Sequence, residues 1–164
     1  MEIKEAGIAD IRIIKKLAET IWPICYKEII SEKQLNYMLD LIYSESSLKE
    51  QIEKGHQFLI AYDNNTPIGF ASYSQKSEAE STIFRLHKIY VLPNLHIIGV
   101  GSSLHTYICN ASKTLGGIEL ELNVNKYNTA IEFYKKKNFT IVKEEVIDIG
   151  GGYVMDDYVM KGPL

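Results

Sequence analysis

Leu86-His87-Lys88-Ile89-Tyr90-Val91-Leu92-Pro93 leads, across a short loop, into Gly99-Val100-Gly101-Ser102-Ser103-Leu104. The first eight residues are rich in apolar and aromatic side chains and stop at a proline, so they read as a strand. The glycines that follow read as a loop, and residues 101–114 as a helix. A second stretch completes the pattern: Asn125-Lys126-Tyr127-Asn128-Thr129-Ala130-Ile131-Glu132-Phe133-Tyr134, reaching Asn138-Phe139. It reads as a helix start with a tyrosine inside the helix, then a strand. Strand, glycine loop and helix suggest a backbone cradle for a phosphorylated cofactor. The tyrosine suggests a hydroxyl near that cofactor's reactive end.

Outward from these stretches the period of the apolar residues sets the elements. Toward the N-terminus, Glu2-Ile3-Lys4 reads as a short edge strand. Asp10 is a candidate cap, and Ile11, Ile14, Leu17, Ala18 and Ile21 then fall at helical spacing until Pro23 ends or bends the helix. Ser31 and Gln34 stand as a capping box before a helix over 32–43, and a further helix covers 46–54. The period then shortens. Strands are expected over 56–62 and 68–74, joined by the turn residues Asp63-Asn64-Asn65-Thr66-Pro67, and over 82–92. Beyond the glycine loop, Gly116-Gly117 interrupts the chain. A strand follows over 118–124, a helix over 127–137, and strands over 139–148 and 153–160 joined by Gly150-Gly151-Gly152. Strand-helix-strand units imply a partly parallel sheet and the paired end strands antiparallel flanks. The expected fold is therefore α/β with a mixed sheet, in a single domain over 1–164.

Composition narrows the function classes. The chain has 164 residues, 46% hydrophobic and 24% charged, with a formal net charge of -3. That is enough for an ordinary core and too little positive charge for a broad nucleic-acid footprint. Cys25 and Cys109 sit in apolar helical patterns and read as buried free thiols rather than a disulfide framework. No Cys/His cluster has metal-ligand spacing, so no metal is expected. The N-terminus has no apolar run of the secretory type, and no stretch reaches the ~20 apolar residues of a membrane span. The expected compartment is the cytoplasm.

Gly99 and Gly101 leave the main chain open to a ligand. At a helix start, free N–H groups and the helix dipole favour a phosphate, and Ser102 or Ser103 can add a hydroxyl. A bare G-x-G also fits a plain strand-to-helix turn, and Tyr134 beside Phe133 also fits a core aromatic.

These residues, taken with their context, resemble the Gcn5-related N-acetyltransferase (GNAT) family. That family's cofactor loop reads Arg or Gln, two residues, Gly, one residue, then Gly or Ala. Here His96, Ile97 and Ile98 precede Gly99-Val100-Gly101, so the glycines match and the flanking polarity departs. Residues 120–139 resemble the family's second cofactor motif, with Asn138 in place of its usual glycine. The resemblance covers roughly 56–160 and implies a splayed, mixed sheet of six to seven strands flanked by helices. It implies acetyl-CoA as co-substrate, held by backbone near Ile89 and Val91 and by His96, Ile98, Gly99, Val100, Gly101 and Ser102. Asn128 is the candidate for the family asparagine, one residue out of the usual register, and Asn125 reads as the helix cap. Tyr134 takes the place of the tyrosine that protonates the departing thiolate.

Direct transfer needs a neutral amine. His87 is the candidate base, as histidine titrates near neutral pH; a strand residue bonded to a neighbouring backbone is the other reading. Trp22, Tyr26 and Asp157 lie in segments that resemble bacterial diamine and polyamine acetyltransferases. Aromatics with carboxylates suit a polyamine through cation–π contacts and ion pairing. Asp156-Asp157 reads first as the outer face of a terminal strand, and Trp22 with Tyr26 reads equally as core packing. The expected partner is a small-molecule amine, with no nucleic acid and no membrane. Tyr153 to Met160 is long and apolar enough to pair with a second copy, which makes a homodimer one expectation. A protein N-terminal or lysine acetyltransferase and a catalytically silent CoA-binding regulatory module are the alternatives.

Overall fold

A computed structural model describes the whole chain, Met1–Leu164. Its elements are β1 (Glu2–Ala6), a 3₁₀ turn (Ile8–Asp10), α1 (Ile11–Cys25), α2 (Glu32–Tyr43), α3 (Glu45–Glu53), β2 (Gln57–Asp63), β3 (Thr66–Gln75), β4 (Ile83–Val91), α4 (Val100–Thr114), β5 (Glu119–Asn125), α5 (Ala130–Lys136), β6 (Thr140–Gly150) and β7 (Tyr153–Pro163). The seven strands form one open mixed sheet in the order β1-β2-β3-β4-β5-β7-β6, flanked by the helices. The chain divides into two compact units, Met1–Ser74 with Lys88–Ile108, and Gln75–His87 with Cys109–Leu164.

In the first unit, β1, β2 and β3 are antiparallel neighbours. The β2–β3 hairpin turns on Asn64 and Asn65, both with positive φ, the backbone that asparagine tolerates best after glycine. α1 presents Ile14, Leu17, Ala18, Ile21 and Trp22 to the core. Each large member contributes roughly 1.5–3 kcal/mol by burial. Pro23 lies inside α1, where it cannot donate to the Glu19 carbonyl, and the helix ends two residues later at Cys25. Asp10 does not cap α1. Its carboxylate turns back to accept from Gly7 N–H at 2.9 Å, closing the preceding 3₁₀ turn. Ser31 caps α2 as expected, accepting from Gln34 N–H at 3.1 Å.

In the second unit, β4 and β5 are parallel, from Ile83↔Glu119 to Leu86↔Leu122. β7 lies between β5 and β6, antiparallel to both. The last strand is therefore covered on both sides, and the free edge belongs to β6, which exposes Val142 and Val146. Gly162 is required by packing: a Cβ there would lie 2.6 Å from the Phe139 ring. Cys25 is half-buried and Cys109 buried, both as free thiols whose pKa burial raises. No helix is long and apolar enough to cross a membrane.

Candidate active site

The glycine loop of the first unit is pinned at both ends. Leu92 N–H donates to Ile68 O at 2.8 Å where β4 gives out, and Ser103 N–H donates to Gly99 O at 2.9 Å where α4 begins. Gly99 has φ +83, a backbone that side chains resist, and a Cβ there would meet nothing within 4 Å. The space in front of it is open. Gly99 precedes a fifteen-residue helix and has no side chain to cap it, so the first amides of α4, at Val100, Gly101 and Ser102, have no partner within their own helix. The arrangement fits a phosphorylated ligand. Ile89 and Val91 lie half-buried on β4, and His96 and Ile98 are exposed on the loop.

The same unit gathers an aromatic cluster. Trp22 of α1 and Tyr26, which follows the end of that helix, have ring centroids 4.6 Å apart, and Tyr90 of β4 lies 5.6 Å from Trp22. The Tyr26 and Tyr90 hydroxyls are 2.8 Å apart. Burial, first, and the neighbouring phenols raise the Tyr90 pKa well above its ordinary value. Trp22 is 3% exposed and Tyr26 8%, so both sit in the core of this unit. Beside the cluster lies a group the sequence reading passed over. Lys88 is 8% exposed, donates to Gln51 Oε1 at 2.6 Å, and stands over the rings of Phe58 (5.4 Å) and Tyr43 (5.9 Å). No carboxylate pairs with it, and burial lowers its pKa to about 8. Strand alternation was the available signal, as it sets Lys88 on the face of Leu86 and Tyr90.

In the second unit Tyr134 lies on α5 and is buried, its ring 5.3 Å from Phe133 and 5.6 Å from Phe139. The α5 terminus explains the fixed position. Asn138 has φ +67, Asn138 N–H donates to Lys135 O, and Phe139 N–H donates to Tyr134 O. This is a Schellman ending, whose usual hydrophobic contact is the Tyr134–Phe139 pair. Asparagine thus does the work of the family's glycine. α5 starts at Ala130, later than the expected 127, because side-chain carbonyls engage the backbone first. Asn125 Oδ1 accepts from Tyr127 N–H at 2.9 Å, and Asn128 Oδ1 from Ala130 N–H at 2.8 Å. Thr129, not Asn125, is the N-cap of α5, and Asn128 stands one residue before it.

His87 is half-buried on β4. Its strand neighbour Arg85 is neutralised: it bonds Glu121 and donates to Asn123 Oδ1 at 2.7 Å. Glu121 also receives Lys76 and Lys161. Burial alone would raise the Glu121 pKa, and these cations carry it below its ordinary value. Because Arg85 fixes the Asn123 carbonyl, the Asn123 amide N–H groups turn to two carboxylates, Glu145 at 2.9 Å and Asp157 at 3.4 Å. Asp157 is 2% exposed, so the outer-face reading of this residue fails. No cation pairs with it. Burial, first, then the charges of Glu145 and Asp156 raise its pKa, against the Asn123 hydrogen bond. Asn123 and Glu145 were missed in sequence, although the alternation Glu119, Glu121, Asn123, Asn125 against Leu120, Leu122, Val124 marks a polar face of β5.

The family model of the acetyltransferase (GNAT) domain matches residues 26–154. The chain belongs to the GNAT acetyltransferase family and is an N-acetyltransferase with acetyl-CoA as co-substrate. It is 28% identical over 151 residues to the uncharacterized N-acetyltransferase YuaI of Bacillus subtilis (strain 168), spanning 91% of this chain and 86% of that one. Among solved structures it is similar to the PaiA N-acetyltransferase of Thermoplasma acidophilum in complex with coenzyme A, with a TM-score of 0.78, 23% identity and all of both chains covered. It is also similar to a GCN5-related N-acetyltransferase of Rhodopseudomonas palustris, with a TM-score of 0.82, 18% identity, and 99% of this chain and 95% of that one covered. A third, YncA of Salmonella typhimurium with acetyl-CoA, has a TM-score of 0.67 and 18% identity over 100% of this chain and 94% of that one. These three likenesses establish the fold.

Proposed function

We propose that the chain acts as one domain over 1–164 and moves the acetyl group of acetyl-CoA directly to a primary amine of a small molecule, with a polyamine or diamine as the favoured acceptor. The donor would rest its diphosphate on the amides of Val100, Gly101 and Ser102, beside Gly99, His96 and Ile98, with its pantetheine along Ile89 and Val91 and near Asn128. The amine must lose a proton before it can attack, and His87 is the group we assign to take it. The new C–N bond forms as the C–S bond breaks, Tyr134 gives its proton to the departing sulfur, and the second proton that the nitrogen sheds as it becomes an amide restores the Tyr134 hydroxyl. The fixed ring of Tyr134 supports that role, because proton transfer rewards a donor held in one place.

The observation that carries the acceptor class is Asp157, a carboxylate 2% exposed, with Glu145 beside it and no cation of its own. An ammonium group is the natural complement of such a site. Arg85 does not oppose a cationic acceptor, as Glu121 neutralises it. The free thiols Cys25 and Cys109 suit a reducing compartment, the cytoplasm. A homodimer would use the β6 edge, where Val146 is 64% exposed.

The test is thiol release from acetyl-CoA with spermidine, a simple monoamine, or a peptide with a free N-terminus. Faster release with spermidine supports the reading. Release with the peptide alone makes the chain a protein acetyltransferase. Tight acetyl-CoA binding with no release to any amine makes it a silent CoA-binding module.

A further inference from the structure

Asn123 is a neutral side chain clamped among charged ones in the second unit. Arg85 of β4 donates to its Oδ1 at 2.7 Å, and its Nδ2 donates to Glu145 of β6 at 2.9 Å and to Asp157 of β7 at 3.4 Å. A guanidinium only donates and a carboxylate only accepts, so the amide fits one way round. Turned over, it would set donor on donor and acceptor on acceptor. Arg85 is held in turn by Glu121, which Lys76 and Lys161 also hold. Glu145 and Asp157 stand opposite each other across the β6–β7 ladder, where like charges repel. Asp157 is 2% exposed, so water does little to relieve that repulsion. Asp156, on the same strand, adds to it, although Lys126 holds Asp156 at 2.9 Å. His87 follows Arg85 on β4, on the same face by strand alternation. Against these charges and burial, the hydrogen bond from Asn123 favours the charged form of Asp157.

We propose that Asn123 is a positioning residue for acceptor choice: clamped by Arg85, it keeps Asp157 charged, and so lets the site tell an acceptor with a second ammonium group from a monoamine. This rests on the reading of Asp157 as the partner of the acceptor's second charge. In this role neither Asn123 nor Arg85 touches the acceptor. Removing the amide leaves Asp157 buried beside Glu145 with no donor, and it then takes up a proton at a higher pH than in the wild type. Glu145, which shares the donor, moves the same way.

The experiment is the ratio of KM for a monoamine to KM for spermidine, followed from about pH 5 to about pH 8 in the wild type, Asn123→Leu, Arg85→Met and Asp157→Asn. The wild-type preference for spermidine should fade as acid protonates Asp157. In Asn123→Leu it should fade about one pH unit or more higher, the scale of one hydrogen bond to a charged group. Arg85→Met keeps the donor and frees the amide, so its profile should move the same way by less. Glu121 retains two lysines in that variant, so Arg85→Met carries the test if Asn123→Leu does not fold. The ratio removes titration of His87, which both acceptors share. A merely structural role would change kcat and both KM values together and leave the pH midpoint of the ratio in place. Variant profiles that superimpose on the wild type overturn the role of Asn123 and leave Asp157 standing. No preference in the wild type, or one that persists in Asp157→Asn, overturns the acceptor reading and this inference with it.

Discussion

Lys88→Met should make the protein more stable at neutral pH, an unusual outcome for the loss of a buried side chain's hydrogen bond. Burial lowers the Lys88 pKa from 10.5 to about 8. Between those values the unfolded chain holds a proton that the folded chain does not, so stability rises with pH across that window. Below about pH 8 the folded state carries the charged lysine at the full penalty. A difference of about 2.5 pKa units corresponds to about 3.4 kcal/mol. Methionine removes that penalty and keeps most of the volume. It also strands Gln51 Oε1, which Lys88 holds at 2.6 Å, at a cost of about 1–3 kcal/mol. The net expectation at pH 7 is a gain of about 1 kcal/mol, possible because the lysine has no carboxylate to lose. Urea unfolding followed by fluorescence of the buried Trp22 measures it. From pH 7 to pH 9 the wild type should recover about 1.3 kcal/mol relative to the variant, by the same linkage. His56, whose pKa burial and the Lys88 charge lower to about 4, titrates below this window, and groups that do not feel Lys88 cancel in the difference. A variant less stable than wild type by more than 1 kcal/mol, or a difference that does not change with pH, would refute the reasoning.

Three further outcomes concern the site. Tyr134→Phe keeps the ring that closes the end of α5, so it should fold and bind acetyl-CoA within twofold while kcat falls about 10²-fold or more; equal kcat removes Tyr134 from the acid role. Gly101→Glu sets bulk and negative charge on the helix start and should abolish acetyl-CoA binding by calorimetry; unchanged affinity sinks the cradle. His87→Ala should displace the acidic limb of the pH profile of kcat/KM, and an unmoved limb leaves His87 a strand residue.

Much of the fold was legible because apolar periodicity reports burial directly. Glu32–Tyr43 was bounded by Ser31 on one side and the loss of helical spacing on the other, and the structure agrees at both ends. Asn138 was legible as a left-handed helix end because few side chains tolerate that backbone. The failures share a cause: side-chain carbonyls and carboxylates choose among several nearby N–H groups, and sequence does not rank them. Asp10 bonded backward to Gly7 rather than capping α1. Asn128 took Ala130, which delayed α5 and moved Asn128 out of the helix. Lys88 and Asp157 were hidden differently. A charged residue in a strand reads as solvated unless its neighbours across the sheet are known, and those partners, Gln51 for one and Asn123 for the other, come from distant segments. The lack of lysine and arginine in the glycine loop was visible in the sequence, yet only the structure shows Ile98 held out in water.

Asp157 separates a structural carboxylate from one kept for an acceptor. Its pKa lies above 3.8 in the folded protein, chiefly through burial. Such a group stabilises the fold least at neutral pH: the penalty is absent below about pH 3.8 and grows as pH rises through the folded pKa. Asp157→Asn keeps the shape, relieves the repulsion from Glu145 and should raise Tm at pH 7. If the carboxylate serves only the fold, nothing else changes. If it receives an ammonium, the same substitution raises KM for spermidine by about tenfold or more and leaves KM for a monoamine nearly unmoved, because only the second charge of the acceptor loses its partner. A rise in Tm with unchanged discrimination between the two amines would remove Asp157 from the acceptor side. The chain places three cations on Glu121 and none on Asp157, within the same unit. Counter-charge was available to the fold and was not used here, which is the pattern expected where the missing cation arrives with the substrate.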